Sequence, residues 1–192
     1  MTAPTVVRNL LSDSAFESLR DWVLDSARHG GTWDQEFQRT TVHQTKTLRA
    51  LHDALVPFAS GVFGVPLKPS YTFVSNYVDG GRCPLHLDRP QCFRTIDLLV
   101  AADDPEPWPL RVGEPWTEEQ FANYNGSRNF GIVEPDAEPD LDVIWHDLLL
   151  HPNDAACYSG THSWHYRPTA SNGRVDLIFF HFVAEDFDGS LN

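Results

Sequence analysis

The segment NYVDGGRCPLHLD, residues 76–88, decides both the fold and the candidate site. It ends with His86 and Asp88, two residues apart. Side chains two residues apart in a strand point to the same side of a sheet, so these two can converge on one ion. An imidazole and a carboxylate suit a borderline divalent metal, and a histidine from another strand would complete a facial site with open positions. On its own, His-x-Asp is a weak signal.

A second segment, GTHSWHYRPTASNGRVDLIFF at residues 160–180, supplies that missing histidine. It contains His162 and His165, and Arg174 follows His165 by nine residues at the start of an apolar strand. Either histidine can provide the third ligand on chemical grounds. Cys83, three residues before His86, is half of a possible zinc pair, but no second pair with that spacing follows.

The order and spacing of these residues are shared with a known family. Tyr77 and Gly80 precede the His-x-Asp pair, and an RTIDLL strand follows at residues 94–99. Further along stand, in order, Pro152, Asp154, Tyr158, Gly160, His165, Pro168, Gly173 and Arg174. This pattern resembles the Fe(II)/2-oxoglutarate-dependent oxygenases, particularly the prolyl-4-hydroxylase-like branch of the double-stranded β-helix fold, over residues 70–184. One departure is the family's Gly-Gly-x-Thr element, which is replaced here by Pro107-Trp108-Pro109-Leu110.

The resemblance implies roles for individual residues. His86, Asp88 and His165 would bind Fe(II), since the distance from His165 to Arg174 is the usual one in the family. Arg174 would hold the distal carboxylate of 2-oxoglutarate, because a guanidinium offers paired donors that match a carboxylate. Tyr77 would donate its hydroxyl to the same cosubstrate. Second choices or pocket residues are His162, Arg167, Asn76, Arg94, Trp164 and Trp108.

The rest of the sequence predicts one domain over residues 1–192, mainly β with N-terminal helices. Ser14 with Glu17 predicts a capped first helix, and Thr45 to about Phe63 a second, with helical support over about 12–64. Short β-rich runs over about 67–185 predict a jelly-roll, cupin-like barrel braced by the two helices. The polar stretch over about 103–140 reads as a lid-like insertion, in which Thr117 and Gln120 cap a short helix.

Bulk composition limits the partners. A formal net charge of −13 disfavours nucleic acid and anionic membranes, because both need a basic surface. Three cysteines without framework spacing, an early-charged N-terminus and the lack of a long apolar run favour a cytoplasmic protein.

The function expected from the resemblance is an O2-dependent hydroxylation or desaturation of a small-molecule or amino-acid-like substrate. 2-Oxoglutarate would be converted to succinate and CO2, with ascorbate as a supporting reductant. Two alternatives stay open at this point: a zinc hydrolase that uses the same ligands, and a non-catalytic barrel that binds a metal or ligand. The sequence leaves substrate identity and oligomeric state open.

Overall fold

A computed structural model describes residues 2–26, 30–124, 126, 129–131 and 141–191. Three α-helices lie at α1 (Asp13–Ser26), α2 (Lys46–Phe63) and α3 (Glu118–Asn123). The strands are β1 (Thr5–Val7), β2 (Thr32–Asp34), β3 (Arg39–His43), β4 (Leu67–Tyr77), β5 (Leu85–His86), β6 (Arg94–Ala102), β7 (Leu110–Gly113), β8 (Asn129–Gly131), β9 (Trp145–Leu148), β10 (Ala155–Tyr158), β11 (His165–Tyr166) and β12 (Val175–Ala184). A 3₁₀ turn covers Pro90–Cys92.

The strands form two antiparallel sheets. The larger has the order β1-β10-β6-β12-β4-β3-β2, and the smaller has the order β8-β5-β11-β7-β9. Side chains of both sheets meet in one apolar cluster, so the sheets face each other. This confirms a mainly β, jelly-roll-type fold, although within the described residues the two sheets share no strand and do not close into a barrel.

The longer helix, α2, has the bounds that the sequence predicts. The Thr45 hydroxyl accepts a hydrogen bond from the backbone N–H of Leu48, and Gly64 ends the helix with a φ of 67°. Its apolar face packs against the outer face of the larger sheet. The first helix begins at Asp13, so the prediction that Ser14 caps it is wrong, and Ser14 lies in its first turn.

Alternation along β12 decides which side chains face the site. Ile178 and Phe180 pack against the helices, whereas Val175 and Leu177 pack against the smaller sheet. The odd-numbered residues at the start of β12 therefore face the space between the sheets.

The prediction that residues 103–140 form a lid-like insertion is wrong for Leu110–Gly113. β7 pairs with both β11 and β9, so Leu110–Gly113 is a central strand of the smaller sheet. The capping box of Thr117 and Gln120 at α3 is confirmed. Residues 125, 127–128 and 132–140 of the stretch lie outside the described residues. Among the described helices, none combines the length and apolar character that crossing a membrane requires.

Candidate metal centre

His86, Asp88 and His165 converge between the two sheets. Strand pairing places His165 directly opposite His86, and Asp88 follows two residues after His86. The Asp88 Oδ1 atom lies 3.5 Å from His86 Nε2 and 3.8 Å from His165 Nε2. The ligand atoms of the three residues all lie within 4.8 Å of one another, which is the spacing a single ion requires.

Backbone contacts orient both imidazoles. His86 Nδ1 lies 2.7 Å from the Pro84 carbonyl oxygen, and His165 Nδ1 lies 2.9 Å from that of Ser163. Each Nδ1 therefore carries the proton that it donates, which leaves the Nε2 lone pair facing Asp88. Burial and the neighbouring His86 lower the pKa of His165 to about 4, so its ring is neutral at physiological pH.

The backbone also fixes Asp88. Its N–H donates to the Gly160 carbonyl oxygen at 2.9 Å. A side chain at Gly160 has no space, because a Cβ atom there would lie 2.4 Å from Asp88 Oδ2 and 2.3 Å from the Cys92 carbonyl oxygen. The carboxylate thus packs directly on the backbone between β10 and β11.

The three residues line a cavity of about 140 Å³ between the sheets. One wall is aromatic, and its rings are in mutual contact: Tyr71, Phe73, Phe179 and His181. The other lining residues include charged and hydroxyl-bearing side chains: Arg39, Tyr77, Asp97, Tyr158 and Arg167.

Arg39 is a site residue that the sequence reasoning missed. It lies on β3, which pairs with the outer edge of β4 and places Arg39 opposite Tyr77. Its Nη1 donates to Tyr77 Oη at 3.1 Å, and its Nε lies 3.4 Å from an Asp34 carboxylate oxygen. The hairpin of short strands before α2 contains no recognised metal or cosubstrate motif, so no sequence pattern pointed to Arg39.

Asp97 is the second missed residue, and it pairs with Arg167. The Arg167 Nη2 atom lies 3.4 Å from Asp97 Oδ2, and both side chains are almost fully buried. Burial raises the pKa of Asp97 to about 6, although the two nearby arginines oppose the shift. Asp97 Oδ1 has no hydrogen-bond partner within the described residues.

The structure contradicts the role predicted for Arg174. Its Nε and Nη2 atoms pair with Asp176 at 2.9 and 2.8 Å, and it does not line the cavity. Arg174 and Asp176 lie on the outward side of the alternation along β12. Asn76 is also outside the cavity, where its side-chain amide donates to Asp176 at 2.6 Å.

The remaining second-choice residues lie around the cavity rather than in it. His162 turns away from Asp88 and lies 3.3 Å from Glu118, which leaves His165 as the third member of the cluster. Arg94 donates to Ser159, and Trp164 is buried within an aromatic cluster. Trp108 packs its ring against the Arg167 guanidinium and lines a second cavity behind it.

His181 was also missed, because its single position in an apolar strand matches no motif. It lies on the aromatic wall with Nδ1 3.1 Å from Thr95 Oγ1. Burial lowers the pKa of His181 to about 4.

Comparison with known proteins shows the fold. No protein-family model matches the chain, and no curated protein is similar in sequence. Among solved structures, HygX from Streptomyces hygroscopicus with nickel, 2-oxoglutarate and hygromycin B is similar over 97% of this chain and 84% of that one, with a TM-score of 0.66 and 13% identity. A Pseudomonas putida prolyl-4-hydroxylase is similar over 95% and 93%, with a TM-score of 0.65 and 13% identity.

A third similar structure is SnoK, an α-ketoglutarate-dependent non-haem carbocyclase of nogalamycin biosynthesis. It is similar over 96% of this chain and 80% of that one, with a TM-score of 0.68 and 13% identity. The chain therefore has the fold of the 2-oxoglutarate-dependent oxygenases, as the motif order predicted. One of these proteins is a prolyl-4-hydroxylase and another is a carbocyclase, so the shared fold does not determine the reaction or the substrate.

Proposed function

We propose that this chain is an Fe(II)- and 2-oxoglutarate-dependent dioxygenase that hydroxylates or desaturates a C–H bond of a small-molecule or amino-acid-like substrate. The observation that carries the proposal is the convergence of His86, Asp88 and His165 on one point of a buried cavity. The solved structures with the same fold include proteins crystallised with iron, nickel and 2-oxoglutarate, which supports this metal and cosubstrate.

The donor set fits Fe(II). Two neutral imidazoles and one carboxylate on one side of an ion leave its opposite positions free for a chelating ligand and O2. The hydrogen bonds from both Nδ1 atoms to backbone carbonyls hold the rings in the tautomer that binds a metal. Fe(II) with 2-oxoglutarate and O2 would supply the oxidising chemistry, with release of succinate and CO2.

The charges of the cavity fit a dicarboxylate ligand. Arg39 and Arg167 balance Asp88 and Asp97, so a divalent ion would leave a net charge of +2. A dianionic keto acid would neutralise that charge. In a buried site of low dielectric constant, such a match is worth more than it is in water.

We assign the distal carboxylate of 2-oxoglutarate to Arg39 and Tyr77. The Arg167 guanidinium is already engaged by Asp97 and by the Trp108 carbonyl oxygen. Among the described residues, the hydrogen-bond partners of the Arg39 side chain are Tyr77 at 3.1 Å and, at a longer 3.4 Å, Asp34 and Ser75. The free donors of Arg39 and the Tyr77 hydroxyl form a ready site for a carboxylate.

The neighbouring residues position the ligand and limit water. The stacked rings of Tyr71, Phe73 and Phe179 cover one side of the cavity, so a bound keto acid is shielded there from solvent. The backbone hydrogen bond to Gly160 fixes the position of Asp88, so Asp88 would hold a bound metal in a defined place in the cavity.

Calorimetric titration of 2-oxoglutarate into the Mn(II)-loaded protein tests the anchor. Arg39→Met should weaken binding by roughly thirtyfold or more, because it removes one partner of a buried charge pair. The matched control Arg174→Met should change the dissociation constant by less than about twofold, because Arg174 does not touch the cavity. A large loss of 2-oxoglutarate affinity in Arg174→Met with no loss in Arg39→Met would refute the assignment. A loss of affinity found only in Arg167→Met would assign the carboxylate to Arg167.

Turnover separates the enzyme from its alternatives. The Fe(II) protein should form succinate from 2-oxoglutarate in air, with ascorbate sustaining the reaction, and the Zn(II) protein should not. Hydrolysis of test esters or amides by the Zn(II) protein would instead favour a hydrolase. Binding of metal and 2-oxoglutarate without any succinate would favour a non-catalytic barrel.

A further inference from the structure

A second concave surface lies beside the metal centre, and we call it the outer groove. It measures about 380 Å³ and is lined by Phe93, Phe121, Phe187 and His162, with Glu118 and Asp186 among its polar residues. This volume lies within the range of sites that bind small organic molecules.

Two chain segments lead from the metal ligand into the outer groove. Asp88 is followed two residues later by Pro90, which lines the groove. Gly160, whose carbonyl oxygen accepts from the Asp88 N–H, is followed two residues later by His162. Two residues of backbone therefore separate Asp88 and Gly160 from residues of the outer groove, although the groove and the metal cavity share no lining residue among the described ones.

The walls of the outer groove are aromatic. The His162 ring lies edge-on to both Phe93 and Phe121, with centroid distances of 6.1 and 5.4 Å. Aromatic faces offer apolar contact, and they also attract a cation through the ring quadrupole.

The charged residues of the outer groove are acidic. Among the described residues, no lysine or arginine lines the groove. The Glu118 side chain is 90% exposed and lies 3.3 Å from His162 Nε2. Within the described residues, neither Glu118 nor Asp186 forms an ion pair with a lysine or an arginine. Two carboxylates beside aromatic rings attract an ammonium group that carries an apolar body.

A second copy of the chain is a poor occupant for this surface. Each copy carries a formal net charge of −13, so two copies repel each other, and the acidic side chains of the outer groove would add to that repulsion. An anionic ligand is disfavoured for the same reason.

We infer that the outer groove binds the amine-bearing part of the oxidisable substrate, a small organic cation with an aromatic or aliphatic body. This inference rests on the proposed oxygenase function and names the substrate class for it. The aromatic walls hold the apolar body, Glu118 and Asp186 hold the ammonium group, and the position beside Asp88 brings the remainder of the molecule toward the metal.

Ligand-observed NMR with three matched probes tests the inference: 2-phenylethylamine, 2-phenylethanol and phenylacetate. The amine should bind the full-length protein about tenfold more tightly than the alcohol, and phenylacetate should not bind detectably. The double variant Glu118→Gln/Asp186→Asn should bring the amine to the affinity of the alcohol. Glu119→Gln, on the same helix but outside the groove, should leave amine binding unchanged.

A second measurement places the probe. With Mn(II) bound, the paramagnetic ion should broaden the amine signals in the wild-type protein, and Phe121→Ala should reduce this broadening. The inference would be overturned if the amine and the alcohol bound with equal affinity. It would also be overturned if Glu119→Gln weakened amine binding as much as Glu118→Gln/Asp186→Asn does. 2-Oxoglutarate binding is measured in parallel on the wild type: its absence would overturn the proposed oxygenase while leaving amine binding in the groove as a separate result.

Discussion

The contact between Gly160 and Asp88 yields a quantitative prediction for Gly160→Ala. The added Cβ would lie 2.4 Å from Asp88 Oδ2, 2.3 Å from the Cys92 carbonyl oxygen and 2.9 Å from Thr95 Oγ1. Ordinary contact begins at 3.4 Å, so the neighbours must move apart by about 1 Å. The Cys92 backbone is tied into a 3₁₀ turn by its hydrogen bond to Arg89, so much of the movement falls on Asp88.

The expected cost has two parts. Overpacking of this kind destabilises a fold by about 1–3 kcal/mol. Moving a metal ligand out of position is expected to weaken metal binding by about 10- to 100-fold, the range found when the groups that orient ligands are lost. The second effect is specific to the site, whereas the first is not.

Mn(II) affinity and thermal unfolding, measured on the same samples, separate the two effects. Gly64→Ala is the control for lost stability, because Gly64 has a φ of 67° at the end of α2 with no atom within 4 Å of a Cβ. Gly61→Ala, which also has open space, is the control for the substitution itself. Both should bind Mn(II) like the wild type, and a folded Gly160→Ala protein with unchanged Mn(II) affinity would refute the reasoning.

Four further substitutions have defined outcomes. His86→Ala and Asp88→Ala should each abolish Mn(II) binding and succinate formation, as measured by calorimetry and product analysis; full turnover by either would refute the site. Asp97→Asn should remove a pH dependence of the free energy of unfolding. Because the pKa of Asp97 is raised to about 6 in the folded protein, the folded state keeps this proton to a higher pH than the unfolded state does. The free energy of unfolding of the wild type therefore falls as the pH rises from about 4 to about 6, by about 3 kcal/mol at most. Denaturant unfolding of the metal-free proteins should therefore show that the stability of Asp97→Asn rises relative to that of the wild type over this pH range. A difference in stability that does not change with pH would contradict the raised pKa. Thr45→Ala should lower the free energy of unfolding by about 1 kcal/mol through loss of the α2 cap, with unchanged Mn(II) affinity.

The sequence predicted the parts of the fold that follow from local patterns. Thr45 and Gly64 are capping residues whose chemistry sets the ends of α2, and the apolar runs of β4, β6, β10 and β12 alternate or stay buried as strands require. The three strands β1, β2 and β3 were missed because three to five residues carry too little pattern. β7 was missed because prolines and charged residues surround it, and only pairing with β9 and β11 makes it a strand.

The metal cluster and the carboxylate anchor differ in how far a sequence can predict them. Metal ligands must meet within one coordination sphere. Here His165 lies opposite His86 on paired strands, and Asp88 follows His86 by two residues, just beyond the end of β5. A spacing of two fixes their common direction, so residue counting works. The anchor was predicted from the family resemblance, which places it at the basic residue that precedes the last strand, here Arg174. The segment from His165 to Arg174 crosses a turn with Gly173 at a φ of 77°. In a strand, an error of one residue reverses the face of the side chain. Val175 faces the interior, whereas Arg174 faces outward and pairs with Asp176. A carboxylate can be bound from any wall of a cavity. Arg39, on a different strand, can therefore take the carboxylate-binding role that Arg174 is not placed to fill. In the proposed assignment, the metal site therefore keeps its motif while the anchor lies on another element.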